Sequence, residues 1–176
     1  MASKIKVDEL ETVDGSGTIA LQNQLSGMTT ASLPANAILQ ITQATTATVY
    51  TLGVASSWTA VGFSHSITPS STSSKILIQL TTSTTQMVDD NTAGLDIYRN
   101  GSQMITNTES NYWGFMPHYG YSVTQMQNSA STTYLDSPNS TSAVTYALYY
   151  KSDQANFKVN GHRPGHMVMI LTEIKG

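Results

Sequence analysis

The sequence predicts an all-β fold: a jelly-roll-like β-sandwich of about eight to ten short strands, preceded by a short N-terminal attachment or oligomerisation segment. Three observations predict it. Thr, Val, Ile and Tyr, which suit the pleated, half-buried surface of a strand, are abundant, while Glu, Lys, Arg and Leu never gather in the long periodic runs that helices use. Short apolar stretches recur with turn signals between them, which is the pattern of a sandwich rather than of βαβ units. One of those turns is an Asn-Gly pair between two alternating stretches, the strongest short-range hairpin signal. The 176 residues fit one ordinary domain with a short segment to spare, enough to bury a core without metals or disulfides.

The first element, "MASKIKVDELETVDGSGTIALQNQLSGM", differs in composition from everything after it. It holds Lys4, Lys6, Asp8, Glu9, Glu11 and Asp14, then the turn signal Gly15-Ser16-Gly17. Ile5 and Val7 alternate around Lys6, and Ile19 and Leu21 around Ala20, with Leu25 further on, so two short strands about the turn are expected. That is too little apolar surface for independent stability, and the segment needs its own domain or neighbouring copies to pack on. "TTASLPAN", around Pro34, reads as the linker, which divides the chain into residues 1–33 and a β-sandwich of residues 34–176.

From Ile38 onward the strand candidates are Ile38 to Ala44, Ala60 to Ile67, Lys75 to Thr82, Leu95 to Arg99, Ser102 to Thr106, Tyr119 to Met126, Thr132 to Leu135, Val144 to Lys151, Asn156 to Val159 and Met167 to Ile174. Between the second and third, "TPSSTSS" is a polar connector that begins where Pro69 stops pairing. In "LDIYRNGSQMI", Asn100 and Gly101 supply the two positive-φ residues of a type I′ turn. That turn sets Arg99 opposite Ser102 and Ile97 opposite Met104, with Leu95, Ile97 and Met104 on one buried face. In "VTYALYY", Val144, Tyr146, Leu148 and Tyr150 share one face, and Thr145, Ala147 and Tyr149 the other. "MVMILTEI" is apolar on both faces for most of its length, as expected of a central strand or one covered by a neighbouring subunit.

Charged residues are only 11% of the chain against a usual value of about 25%, and Ser with Thr supply roughly a quarter of it, so the surface is hydroxyl-rich rather than ionic. A net charge of −3 with no basic cluster gives no footprint for nucleic acid or for an anionic membrane. With no cysteine there is no disulfide scaffold or thiolate metal site. No h-region opens the sequence and no run of about eighteen apolar residues occurs in it, so neither a signal peptide nor membrane insertion is expected.

Several stretches together resemble a recurrent type of bacteriophage virion appendage protein, the tail-fibre or head-fibre type of β-sandwich protein common among marine phages and cyanophages. They are "KIKVDELETVDGSGTIALQNQLSGM", "SITPSSTSSKILIQL", "IYRNGSQ", "SPNSTSAVTYALYYKS" and "ILTEIKG", spread over nearly the whole chain. The resemblance implies a structural protein of the virion, assembled in the host cytoplasm as a homotrimer. Its N-terminal segment would attach to another virion protein and its sandwich would project outward as a short fibre or spike. A capsid decoration or cement protein is the alternative. The resemblance carries over no catalytic residue, so no enzyme activity and no cofactor is expected.

Other constellations read as ordinary structure. His162 and His166 in "HRPGH" have a zinc-like spacing, but Pro164 and Gly165 break the helix that would align them. Asp89, Asp90 and Asp96 lack the regular ligand spacing and turn glycine of a calcium loop. No nucleophile-elbow context surrounds any serine, and carboxylates for a glycosidase pair are few in the later chain.

The remaining candidate is "NYWGFMPHYGY", which gathers Tyr112, Trp113, Phe115, Tyr119 and Tyr121 among glycines and a proline. Such rings stack on sugars or anchor protein contacts. Surface-binding loop, intersubunit contact and plug at one end of the sandwich are all open readings of it. The binding reading expects a bacterial surface polysaccharide or protein as partner.

Overall fold

The structure, a computed structural model, describes residues 32–87, 92–105, 114–119, 126–153, 155–161 and 165–176. The chain divides into two units, Met1–Leu33 and Pro34–Gly176. The attachment residues Ile5, Val7, Ile19, Leu21 and Leu25 lie outside the described residues. The described part of the second unit is an all-β sandwich of antiparallel strands with no α-helix.

Its strands are β1 (Ile38–Thr46), β2 (Tyr50–Leu52), β3 (Ala55–Ile67), β4 (Lys75–Met87), β5 (Thr92–Arg99), β6 (Ser102–Gln103), β7 (Met116–Tyr119), β8 (Met126–Asp136), β9 (Val144–Ser152), β10 (Phe157–Val159) and β11 (Met167–Ile174). The first sheet runs β1-β11-β4-β8, with β10 and β2 extending it beside the far half of β4; the second runs β3-β9-β5, with β6 and β7 along the outer edge of β5. Pairing is nested: β1 with β11, β3 with β9, β4 with β8, and β5 with β6 and β7. The chain therefore passes back and forth between the sheets as a long antiparallel hairpin does when rolled up, with its tip, β5 to β6 and β7, lying within the second sheet. This is the jelly-roll arrangement of two Greek keys.

Eleven strands occupy eight positions because three positions are filled by collinear pieces, β1 with β2, β10 with β11, and β6 with β7. The first two breaks lie at the same level as an irregularity in β4 between Thr82 and Thr85, and one residue joins all three. Buried Asn160, at φ 58°, donates its amide to the carbonyls of Thr46 (3.3 Å), Thr48 (3.0 Å) and Gly165 (3.1 Å), and accepts from the Ser83 hydroxyl. Carbonyls that leave the ladders are thus paired inside the protein, as buried backbone groups require.

Strand periodicity fills the core. Ile76, Ile78 and Leu80 of β4, Leu95 and Ile97 of β5, Tyr146 and Leu148 of β9, and Met169 and Leu171 of β11 are fully buried between the sheets. Each aliphatic side chain placed there contributes about 1.5–3 kcal/mol.

The hairpin forms as expected. Asn100 (φ 48°) and Gly101 (φ 84°) turn the chain, Arg99 pairs with Ser102, and the Met104 N–H donates to the Ile97 carbonyl at 3.0 Å. β9 alternates between buried and half-buried along its whole length, and β11 is a central strand, flanked by β1 and β4. Other bounds differ from expectation. β3 begins at Ala55 and β4 runs on to Met87, because Ser and Thr continue the ladder where apolar alternation stops. Of the expected strand Tyr119 to Met126, Tyr119 belongs to β7 and Met126 to β8, and residues 120–125 lie outside the described residues.

Two buried carboxylates hold one end of the sandwich. In the first sheet Glu173 and Asp136 are both in register with Ile76, on its inner face. Asp136 accepts from Arg99 (2.8 and 3.0 Å to its two oxygens) and from the Tyr146 hydroxyl (2.7 Å), which ties the second sheet to the first. Burial, and then the hydrogen bond to Asp136, push the Tyr146 phenol far above its ordinary range. Glu173 accepts from the N–H (2.6 Å) and hydroxyl (2.7 Å) of Ser70, the Ser74 hydroxyl (2.7 Å) and the Gln40 amide (2.6 Å). The serine-rich connector after β3 is thus an ordered loop folded onto a carboxylate.

Candidate surface-binding site

Of the aromatic candidates, Tyr112, Trp113 and Tyr121 lie outside the described residues. Tyr119 ends β7 with its backbone in register with Thr92, and its side chain also lies outside the described part. Phe115 is half-buried and packs against the sandwich core, and its N–H donates to the Leu95 carbonyl at 2.9 Å.

The structure gathers a different aromatic group on the outward face of the second sheet. Because Leu95 and Ile97 point into the core, Asp96 and Tyr98 point the other way. Register puts Asp96 opposite Tyr149 of β9, and Tyr149 opposite Ala60 of β3, two residues beyond Trp58. The Tyr98 and Tyr149 rings stack with centroids 3.8 Å apart and planes 13° from parallel, and Trp58 meets Tyr98 at 6.3 Å and 53°. Tyr98 is buried within the group, while Trp58 and Tyr149 remain half-exposed at its surface.

Asp96 lies fully buried beneath these rings. Its carboxylate accepts from the Gln103 amide (2.6 Å) and from the Ile97 N–H (2.6 Å), and Gln103 also donates to the Ile105 carbonyl (3.0 Å). Burial pushes the Asp96 carboxyl up to about 6, against the pull of the hydrogen bonds from Gln103, Ile97 and Ile105. Burial likewise raises the Tyr98 phenol to about 12, with further contributions from Asp96 and Tyr149.

A raised carboxyl pKa means that the native protein holds this proton more tightly than the unfolded chain does. Asp96 therefore subtracts stability as pH rises from about 4 to above 6, and its penalty is fully present at neutral pH. Asp96→Asn removes the charge and keeps an acceptor for the Ile97 N–H. Its Nδ2 faces the Gln103 amide donor at every pH, so we expect the stability of the variant relative to the parent to rise by about 1–2 kcal/mol between pH 3 and above pH 7, once partial solvent screening is allowed for. Urea unfolding across that range measures this, and parallel pH profiles for the two proteins would contradict it.

Sequence reasoning missed this group. It considered Asp96 only with Asp89 and Asp90, as a calcium loop it rejected, and it began the strand two residues after Trp58. The signal that could have found it was the alternation of "LDIYR" itself. Asp89, Asp90 and His162 lie outside the described residues, and among the described residues no group of three or more His, Asp or Glu side chains is placed to hold a metal ion.

The site offers two partly exposed ring systems with an amide and phenol hydroxyls around them. This combination can stack on apolar faces and hydrogen-bond at the rim. No protein-family model and no curated protein matches the chain.

Proposed function

We propose that this chain is a structural protein of a bacteriophage virion. In this reading it is a short multimeric fibre or spike, displayed on the particle, whose outer aromatic face contacts the host surface. The observation that carries the reading is the nested jelly-roll topology, an architecture that recurs in viral capsid and lectin domains. It joins the resemblance of segments such as "IYRNGSQ" and "SPNSTSAVTYALYYKS" to phage appendage proteins. The two outward faces differ in chemistry, aliphatic and hydroxyl-bearing on the first sheet, aromatic and polar on the second. That division suits a module which assembles through one face and presents the other. Several copies would present several equivalent aromatic faces, so that weak contacts with a repetitive polysaccharide become avid.

A charge-poor exterior also suits contacts whose strength must survive salt, which screens exposed ion pairs within about 10 Å at 0.1 M. The second reading, a decoration protein that clamps the shell, is favoured by the aliphatic face of the first sheet. Antibody labelling of intact particles in the electron microscope separates the two. Label on a projecting appendage is expected, label spread evenly over the shell would favour decoration, and absence of the protein from purified particles would overturn both.

A further inference from the structure

The outward face of the first sheet is unusual for a surface exposed to water. One row across its four strands contains Ile41, Thr172, Leu77 and Leu135, in register through three antiparallel pairings. Ile41 is 60% exposed and Leu135 50%, and at the adjoining margin Ile38, opposite Ile174, is 61% exposed. Scattered exposed aliphatics are normal, but a connected set across a sheet face marks an interaction surface.

We infer that this outward face of the first sheet, centred on Ile41, Leu77 and Leu135, is buried against a neighbouring copy of this chain. The inference rests on the multimeric reading above and names the surface that it uses.

Three features select a second copy as occupant. The first is charge. From the Ile41 row to the row of Thr45, Val168, Thr81 and Ser131 no side chain on this face is ionisable, and Lys75 stands at its margin opposite Ile174. A charged partner finds nothing to pair with here, whereas two copies of a charge-free face bury no unpaired charge, the costliest error in an interface.

The second is shape. Pairing is free of bulges from Gln40 to Thr46 in β1, between β11 and β4, and from Ile76 to Thr82 in β4 against β8, so the face is regular enough to pack on another sheet surface. The third is size. Four strands at about 4.8 Å and eight residues at about 3.3 Å give a projected area on the order of 500 Å². With side-chain relief this approaches the roughly 800 Å² per partner of a standard interface. Copies turned toward a common axis would bring the central strand β11 of each into contact, which accounts for its apolar residues on both faces.

Light scattering of the full chain with an Ile41→Lys, Leu135→Lys double variant tests this. Both sites are half-exposed or more in the single copy, so the fold tolerates lysine there, and circular dichroism verifies it. Val54→Lys is the control, since Val54 is 65% exposed but lies in the β2–β3 connection, off this face. The parent and Val54→Lys are expected at a multiple of 18.9 kDa and the folded double variant at 18.9 kDa, its association weakened on the order of 100-fold or more. A double variant that keeps the parent's mass would overturn the inference while leaving the multimeric reading standing. A parent chain at 18.9 kDa would overturn both.

Discussion

Replacing Glu173 with alanine is expected to destabilise the sandwich by about 3 kcal/mol, a fall in melting temperature of roughly 10 °C for a domain of this size. The carboxylate is fully buried and collects four hydrogen bonds, three of them on one oxygen, from Ser70, Ser74 and Gln40. Its removal leaves the buried Ser74 hydroxyl and the Ser70 N–H without their acceptor and frees the connector between β3 and β4. Burial alone would raise the Glu173 pKa, but the donors from Ser70, Ser74 and Gln40 outweigh it and hold the group below its ordinary value. Its stabilising contribution is therefore present above about pH 4.5 and lost as pH falls through the depressed native value. Asp96 acts in the opposite sense over a neighbouring range. Thermal melts from pH 3 to 7 should show the acid-dependent loss in the parent and not in Glu173→Ala, and a variant that melts with the parent at pH 7 would contradict the assignment.

Gly114→Ala is expected to cost at least as much, about 3–4 kcal/mol, although it adds a single methyl group. Gly114 has φ 71°, which an L side chain adopts only with strain, and a Cβ built on it would lie 1.9 Å from the Leu95 carbonyl oxygen and 2.7 Å from its carbon. That obstacle is backbone in a central part of β5, so it cannot swing aside. The conflict would separate Phe115 from Leu95, break the 2.9 Å hydrogen bond between them, and press on Trp58, whose ring lies 3.0 Å from the same Cβ. The loss should appear both in urea unfolding and as a changed near-ultraviolet signal from the Trp58, Tyr98 and Tyr149 group. Parent-like stability would show that the β5–β7 pairing is looser than described.

These two residues also mark where sequence reasoning reaches its limit. Local signals carried the elements. "RNG" set the hairpin register because Asn-Gly readily supplies the two positive-φ residues of a type I′ two-residue turn, and "MVMILTEI" gave β11 its full bounds because apolar density marks a central strand. The strand at Tyr50–Leu52 was not legible, being three residues followed by Gly53, and it exists because β10 pairs with it. The starts of β3 and β8 were hidden for another reason: "ASSW" and "MQNSAS" ladder through their backbones with few apolar side chains to announce it.

The site was less legible than the fold. Trp58, Asp96, Tyr98 and Tyr149 are spread over 92 positions of sequence and meet only because β3, β9 and β5 are neighbours in the nested order. The aromatic segment that did stand out places Phe115 against the core instead. Nor does a lone Glu near the end of a strand announce that a serine-rich loop will fold onto it.

The central claim is that the outward face of the second sheet contacts the host. It is tested most directly by competition. Host cells are incubated with purified protein, and phage adsorption is then measured. The parent protein should reduce adsorption, and a Trp58→Ala, Tyr149→Ser variant with the parent's mass and circular dichroism should do so at least about tenfold less effectively. Equal competition by the two proteins, or none by the parent, would contradict it.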